Sequence, residues 1–382
     1  MAKSKLEIDT NHVIVAHMLA RVPCVLWGPP GIGKTSRVMQ IAKTVNRKFH
    51  SITLPIYQPE DICGYVRPDD NRRVTVKYPM DDFASLGEDS ILLLDEFGSV
   101  SEEMQAACCQ LLLEHRAGNL HLPPSMYVMG AGNDMDSAIN AYELGAPLAN
   151  RISHIKFTTP TVQEMRTWAS TDDYKVDLPA INYKEFKVTL PSPWRLTVIT
   201  FLESRPDLQY ALPENRSQRS GPWPSPRSWL AAADVWQALS YIYGFHSFNY
   251  DEDIATLAYH AALPNVGAGA ATEFFSWVKT MDIPKIADIL EGRVKWTPSR
   301  LDQAYAAGTA ILSVLLSTIS KSGKPNKETK ELVEAAWNVL LSWYKGNMKP
   351  VVYSLSITML NREELKRFNV PMEIVNLLEM SS

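Results

Sequence analysis

The sequence predicts an α/β fold: a five-stranded parallel sheet covered by helices, continued by a long α-helical region. Three observations carry that prediction. Apolar runs that read as buried strands recur at Cys24–Trp27, Phe49–Leu54, Ser90–Leu94, Met126–Ala131 and His154–Phe157, with helical periodicity between them. Apolar strands alternating with helices are what a parallel sheet buried on both faces requires. The spacing Gly28-x-x-x-x-Gly33-Lys34-Thr35 follows the first run and opens a helical pattern, the context of a phosphate-binding loop. Beyond Phe157 the texture changes to apolar spacing of three and four punctuated by prolines, which predicts helices.

Each element follows from its residues. Residues 7–20 are loosely helical and are expected to pack beside a bound base. In the loop Gly28-Pro29-Pro30-Gly31-Ile32-Gly33-Lys34-Thr35-Ser36, the glycines let successive N–H groups curl around an anion. The helix that starts there, about Lys34–Val45, adds its dipole. Lys34 is expected to reach the β- and γ-phosphates and the Thr35 hydroxyl to ligate Mg²⁺. After the second strand, residues 55–89 are rich in turn formers and read as an insertion of short helical or hairpin pieces. Its Arg67, Arg72, Arg73 and Lys77 read as a solvated basic group, with contact to a client as the functional option. Ser90–Leu94 ends in Asp95-Glu96: Asp95 is placed to hold Mg²⁺ and Glu96 to activate water as a general base. Ser101–His115 reads as a helix. Asn133 follows the fourth strand, where an amide could orient the lytic water. Arg151 stands just before the fifth.

In the rear half, segments near 161–169, 193–204, 227–243, 251–262, 270–280 and 328–345 show helical spacing. Residues 213–226 read as a loop and 321–330 as a polar linker. Nine of the ten tryptophans lie beyond position 160 and are expected to be core. The most hydrophobic long stretch, Ala304–Ile319, contains Gly308 and several Ser and Thr and reads as a buried helix rather than a membrane span.

Composition bounds the function. The 382 residues allow two to three domains, and 46% hydrophobic content is enough for a large core. A net charge of −4 gives no global basic signal for nucleic acid. Four cysteines, Cys24, Cys63, Cys108 and Cys109, are too few for a disulfide framework and read as reduced thiols. The first residues lack the apolar core of a signal peptide, so the expected compartment is the cytoplasm. The eight histidines are scattered, and no His-Glu-x-x-His or Cys-x-x-Cys occurs, so metalloenzyme and covalent readings lack support.

A phosphate loop alone does not choose among NTPases; the set does. Gly28–Thr35, Leu92-Leu93-Leu94-Asp95-Glu96, Gly132-Asn133, Ala149-Asn150-Arg151 and Ser225-Pro226-Arg227 together resemble AAA+ ATPases of the MoxR type, the group associated with von Willebrand factor A partners. Asp61-Ile62-Cys63-Gly64 looks like that group's insertion after the second strand, and the stretch from Val266-Gly267 to Phe274 looks like part of its lid. The resemblance covers roughly residues 10–290. It implies an α/β AAA+ P-loop core over 1–158, an α-helical lid over 159–295 and a C-terminal helical extension over 296–382. It implies Lys34 and Thr35 as Walker A, Asp95 and Glu96 as Walker B, and Asn133 as sensor 1. Arg151 then matches an arginine finger acting on the neighbouring subunit's ATP, and Arg227 matches sensor 2. The implied activity is Mg²⁺-dependent ATP hydrolysis by a homo-oligomeric, hexameric ring that remodels a protein partner. A nucleic-acid-directed ATPase of restriction or helicase-loader type is the alternative, and a slow nucleotide-gated scaffold is a third. Residues 171–189 look like extra material between lid helices.

Overall fold

The computed structural model describes residues 6–134, 142–171, 175–179, 186–188, 192–245, 252–322, 326–346 and 348–379. The described strands are β1 (Cys24–Trp27), β2 (Lys48–Thr53), β3 (Tyr65–Asp69), β4 (Val74–Tyr78), β5 (Ser90–Asp95), β6 (Arg116–Ala117), β7 (Leu120–His121), β8 (Tyr127–Gly132) and β9 (Ser153–Lys156). Five of them form the main sheet in the order β2-β5-β8-β1-β9, with every pair parallel. The five strands expected from the apolar runs are these five, within a residue or two at each end.

Register brings the functional ends together. β1 lies between β8 and β9, with Trp27 opposite Gly132 on one side and Lys156 on the other. Two glycines of β8 make this close packing possible. A Cβ on Gly132 would lie 2.7 Å from the Trp27 ring, and one on Gly130 would lie 2.9 Å from Val25 Cγ2. The strand β5 is buried along Ser90–Leu94 and surfaces at Asp95. Its acidic end therefore emerges at the same edge as Trp27 and Gly132.

The insertion after β2 is a short helix, Pro59–Cys63, then the exposed hairpin β3–β4, then the helix Asp81–Ala84. Asp61 accepts from the Gln58 N–H at 2.7 Å, and from the Tyr65 hydroxyl at 2.5 Å at the hairpin's foot. Gly64 has φ +86° and brings its backbone so close to Tyr78 that a Cβ would lie 2.8 Å from the Tyr78 carbonyl oxygen. A second hairpin, β6–β7, was not legible in the sequence. It sits against the first, where an ideal Cβ on Gly118 (φ +58°) would lie 3.1 Å from the Lys77 carbonyl oxygen of β4. Arg116 opens this hairpin, and its Nε donates to the Gly118 carbonyl at 3.0 Å.

The helical region packs on one face of the sheet. The Thr10–Ala20 helix lies between them, and a continuous apolar core joins Ile14, Leu26 and Ile41 to Trp229, Trp236 and Phe274. Phe274 is the hub: Phe201, Trp229 and Trp236 stand 5.1, 5.5 and 5.5 Å from it, tilted or edge-on. Such pairs add about 0.5–1.5 kcal/mol each beyond area burial. Trp229, Trp236 and Trp343 are wholly buried, as expected, whereas Trp168 is 56% exposed. The stretch 304–319 lies inside the helix Leu301–Ser322. A long helix Lys349–Leu360 was not singled out in the sequence.

The expected polar linker at 321–330 is shorter than the composition implies. One helix runs to Ser322 and the next starts at Lys327, capped by Asn326, which accepts from the Thr329 N–H at 2.8 Å. Its lysines 327 and 330 are therefore first-turn helix residues. Part of 171–189 lies outside the described residues. The described piece 175–179 returns to the α/β core: Val176 is buried, and its N–H donates to Thr44 Oγ1 at 3.1 Å. Among the described residues no helix is long and apolar enough to cross a membrane.

One buried histidine makes stability depend on pH. His17 is fully enclosed, with Nδ1 2.8 Å from the Val13 carbonyl, which places the proton on Nδ1. Burial lowers its pKa from 6.5 to about 4. The unfolded chain therefore binds a proton below about pH 6.5 that the folded chain refuses until about pH 4. This group's stabilisation, about 3 kcal/mol, is present above that window and lost as pH falls through it. A scan of Tm against pH should show the loss, and His17→Met should flatten it. An equal acid slope in that variant would remove His17 as the cause.

Candidate active site

The loop between β1 and the helix Lys34–Thr44 is built for an anion. Gly31 and Gly33 take φ +78° and +88°, the left-handed region that favours glycine. Gly33 is the N-cap of that helix and gives its first turn no side-chain cap, so the leading N–H groups remain available. Gly28 tolerates no side chain, because a Cβ would lie 2.4 Å from the Phe157 carbonyl oxygen. Ile32 reaches back over Gly28, and Pro29 and Pro30 lead the chain out from β1.

Four elements converge on this loop. Lys34 Nζ donates to the Gly28 and Pro29 carbonyls at 2.8 and 2.9 Å and to Asn133 Oδ1 at 2.9 Å. Thr35 Oγ1 donates to Asp95 Oδ2 at 2.6 Å, and Asp95 Oδ1 accepts the Glu96 N–H at 2.9 Å. Asn133 Nδ2 donates to Glu96 Oε2 at 3.1 Å, and Ser99 Oγ donates to the same oxygen at 3.0 Å. Lys34, Thr35, Asp95, Glu96 and Asn133 are thus one hydrogen-bonded cluster.

Its electrostatics follow from burial and charge. Lys34 is 8% exposed, and burial pulls its pKa down, opposed by Glu96, Asp95 and Asp134. Glu96 takes φ +59°, a backbone conformation that side-chain-bearing residues rarely hold. Such strain, about 1–3 kcal/mol, persists where surrounding structure imposes it. Here it turns the carboxylate toward Ser99 and Asn133 and leaves Oε1 without a hydrogen bond among the described residues. The Asn133 amide spans a cation and a carboxylate, accepting from one and donating to the other. Sequence reasoning gave it a water-orienting role; the structure adds this bridge.

The donor set fits Mg²⁺. A Thr hydroxyl and an Asp carboxylate are hard oxygen donors 2.6 Å apart, and Mg²⁺ is held by one or two such groups plus water and substrate phosphates.

Two cavities flank the loop. One of about 900 Å³ lies between the sheet edge and the helical region, lined by Thr10, Val13, Trp27, Asn133, Gly267 and Ala268 among others. The other, of about 250 Å³, is bounded by Gly31, Gly33 and Ser36 and by Met165 and Trp168 of the helix Val162–Ala169. Trp168 is the tryptophan that composition alone would have placed in the core.

Arg151 and Arg227 are not brought into the cluster. Both are exposed, and neither guanidinium has a hydrogen bond or ion pair among the described residues. Arg151 follows the short helix Ala146–Ala149, and Arg227 lies in the first turn of the helix Pro226–Ile242.

This fold and cluster define a P-loop nucleotide-binding core. Residues 24–152 match the model of the ATPase family associated with various cellular activities (AAA). Over that segment the chain has the α/β AAA+ core fold, and a helical region follows it. Among curated proteins the chain is similar to Lon protease homolog 2, peroxisomal, of Oryza sativa subsp. indica, at 35% identity over 107 residues, or 25% of this chain. The Zea mays protein of the same name matches to the same extent. The match spans only 11% of the length of each relative. Among solved structures, a candidate ATPase from Cytophaga hutchinsonii aligns over 70% of this chain and 87% of its own, at 18% identity and TM-score 0.48. A full-length MCM homolog from Methanopyrus kandleri aligns over 70% and 53%, at 12% identity and TM-score 0.36.

Proposed function

We propose that this chain is a ring-forming, Mg²⁺-dependent ATPase of the MoxR type that works in the cytoplasm and remodels or activates a protein partner, one with a von Willebrand factor A domain in this reading. The observation that carries the reading is an imbalance. The cluster at the P-loop supplies one cation, Lys34, and two carboxylates, while Arg151 stands exposed with no hydrogen-bond or ion-pair partner among the described residues. Negative charge on a departing γ-phosphoryl must be offset, and a second cation from a neighbouring subunit does so. A closed ring, a hexamer in this reading, gives every site such a neighbour.

The roles follow. The Gly28–Thr35 backbone and Lys34 bind the phosphates. Thr35 and Asp95 would hold Mg²⁺, which would supply positive charge to neutralise the phosphates. Glu96 takes the proton of the attacking water through its free Oε1, and Asn133 fixes Glu96 and Lys34 relative to each other. Arg227 approaches from the lid over 159–295, and Arg151 arrives from the next subunit. The base lies in the larger cavity against Thr10, Val13 and the Gly267–Ala268 turn. Support for the MoxR assignment comes from Asp61 and Gly64, which set the foot of the exposed hairpin.

A second reading has one observation in its favour. The hairpin β3–β4 carries Arg67, with Arg72 and Arg73 at its turn and Lys77 returning, beside Tyr65 and Tyr78 at 53% and 58% exposure. Cations with exposed aromatics also suit nucleic acid. ATPase rate with and without single-stranded DNA at two salt concentrations separates the two. The first reading expects a change below about twofold; stimulation that collapses between about 50 and 200 mM salt would replace it with the second.

A further inference from the structure

The turn that carries Arg151 is tied down at both ends by side chains that no step above uses. On one side, Asn150 reaches the start of the helix Pro226–Ile242. Its Nδ2 donates to the Trp223 carbonyl at 3.0 Å, and its Oδ1 accepts the Ser225 hydroxyl at 2.6 Å. Ser225 is buried and is the N-cap of that helix, accepting the Ser228 N–H at 3.2 Å. On the other side, His154 Nε2 lies 2.9 Å from the Ala149 carbonyl, and its Nδ1 accepts the Trp27 indole N–H at 3.1 Å. Trp27 donates there and a carbonyl can only accept, so the imidazole is the neutral Nε2–H tautomer. The two rings also stack, 15° from parallel. Trp27 is the residue from which the P-loop departs. An unbroken chain of polar contacts therefore runs from the P-loop strand through His154 and the Ala149–Asn150 peptide to the cap of the helix bearing Arg227. Arg151 is the next residue along the backbone.

We propose that Asn150 is a positioning residue that latches the Arg151 turn to the start of the Pro226–Ile242 helix, so that the state of a subunit's own lid sets the aim of the arginine it offers to its neighbour. The proposal rests on reading Arg151 as the arginine supplied in trans. Physically, the Arg151 guanidinium has no hydrogen-bond or ion-pair partner among the described residues, so its backbone sets where it points. Among the described residues, Asn150, immediately before Arg151, joins that backbone to the start of the Pro226–Ile242 helix, while Ser153 two residues on meets Asn265 of the helix Glu252–Val266 at 2.6 Å. A nucleotide that closes the cleft against Gly267 moves the helical region, and Asn150 passes the movement to the next site. The amide is chemically required: it gives a hydrogen bond to a carbonyl and takes one from a hydroxyl, which Asp or Ala cannot both do.

The test uses mixed assemblies of the full chain. Asn150→Ala should bind ATP within about threefold of wild type while its turnover falls about tenfold or more, as misplacing a catalytic group by about 1 Å does. Mixing it with Glu96→Gln, itself inactive, should restore activity, because roughly a quarter of randomly formed interfaces then pair an intact Glu96 with a correctly aimed Arg151. Arg151→Ala mixed with Glu96→Gln is the control. Recovery in both mixtures supports the latch. Recovery with Arg151→Ala but not with Asn150→Ala overturns it, since Asn150 would then serve only its own subunit, as would wild-type turnover by Asn150→Ala alone. No recovery in the control removes the shared site and the latch with it. Should Asn150→Ala fail to assemble, Ser225→Ala breaks the same contact from the lid side and must behave in the same way.

Discussion

Glu96→Gln is expected to bind ATP with near-native affinity and to release phosphate about 10²–10⁴ times more slowly, the span that a positioned general base contributes. The substitution is close to isosteric. A Gln side-chain oxygen can still accept from Ser99 and Asn133, so the bridge to Lys34 and the Thr35–Asp95 pair should survive. What is lost is the capacity of the free oxygen to take a proton from water. Equilibrium nucleotide binding measured beside steady-state phosphate release separates the two effects. Turnover within a few-fold of wild type would mean that another group activates the water.

Arg151→Ala should leave affinity intact and lower turnover by about 10³-fold or more, the scale of an arginine supplied in trans. Lys should rescue poorly, because an ammonium lacks the planar fork that engages phosphoryl oxygens. The guanidinium is exposed and unpaired among the described residues, so its removal should cost little stability and leave Tm nearly unchanged. Wild-type specific activity should also fall on dilution, as sites that need two subunits come apart. Normal turnover in Arg151→Ala, or a rate per chain independent of concentration, would make the site self-contained.

Legibility differed between parts for physical reasons. Ser90–Leu94 was readable because a strand covered on both faces is apolar throughout, and the P-loop because its conformation demands glycines at fixed spacing. Helices with one buried face, such as Pro193–Ser204, were readable from period. The β6–β7 hairpin was not: two residues per strand carry no period, and close backbone approach at Gly118 holds it in place. The helix Lys349–Leu360 was missed because apolar and small residues go most of the way round it, which leaves little amphipathic signal. The linker at 321–330 was drawn too long because lysines suit a helix's first turns as well as a loop.

The sequence alone determined the class of chemistry here, because a phosphate cradle and an acidic strand end are each specified within a dozen residues, and each buried strand of the sheet announces itself as a short apolar run. Tertiary structure decided how those parts act together. Asn133 meets Lys34 across 99 positions and Glu96 across 37, and Asn150 meets Ser225 across 75. Local pattern cannot encode such pairings: an asparagine after a strand looks the same whether it faces solvent or joins a lysine to a glutamate. Only the register of β1 against β8 and the seating of the helical region on the sheet choose between those outcomes.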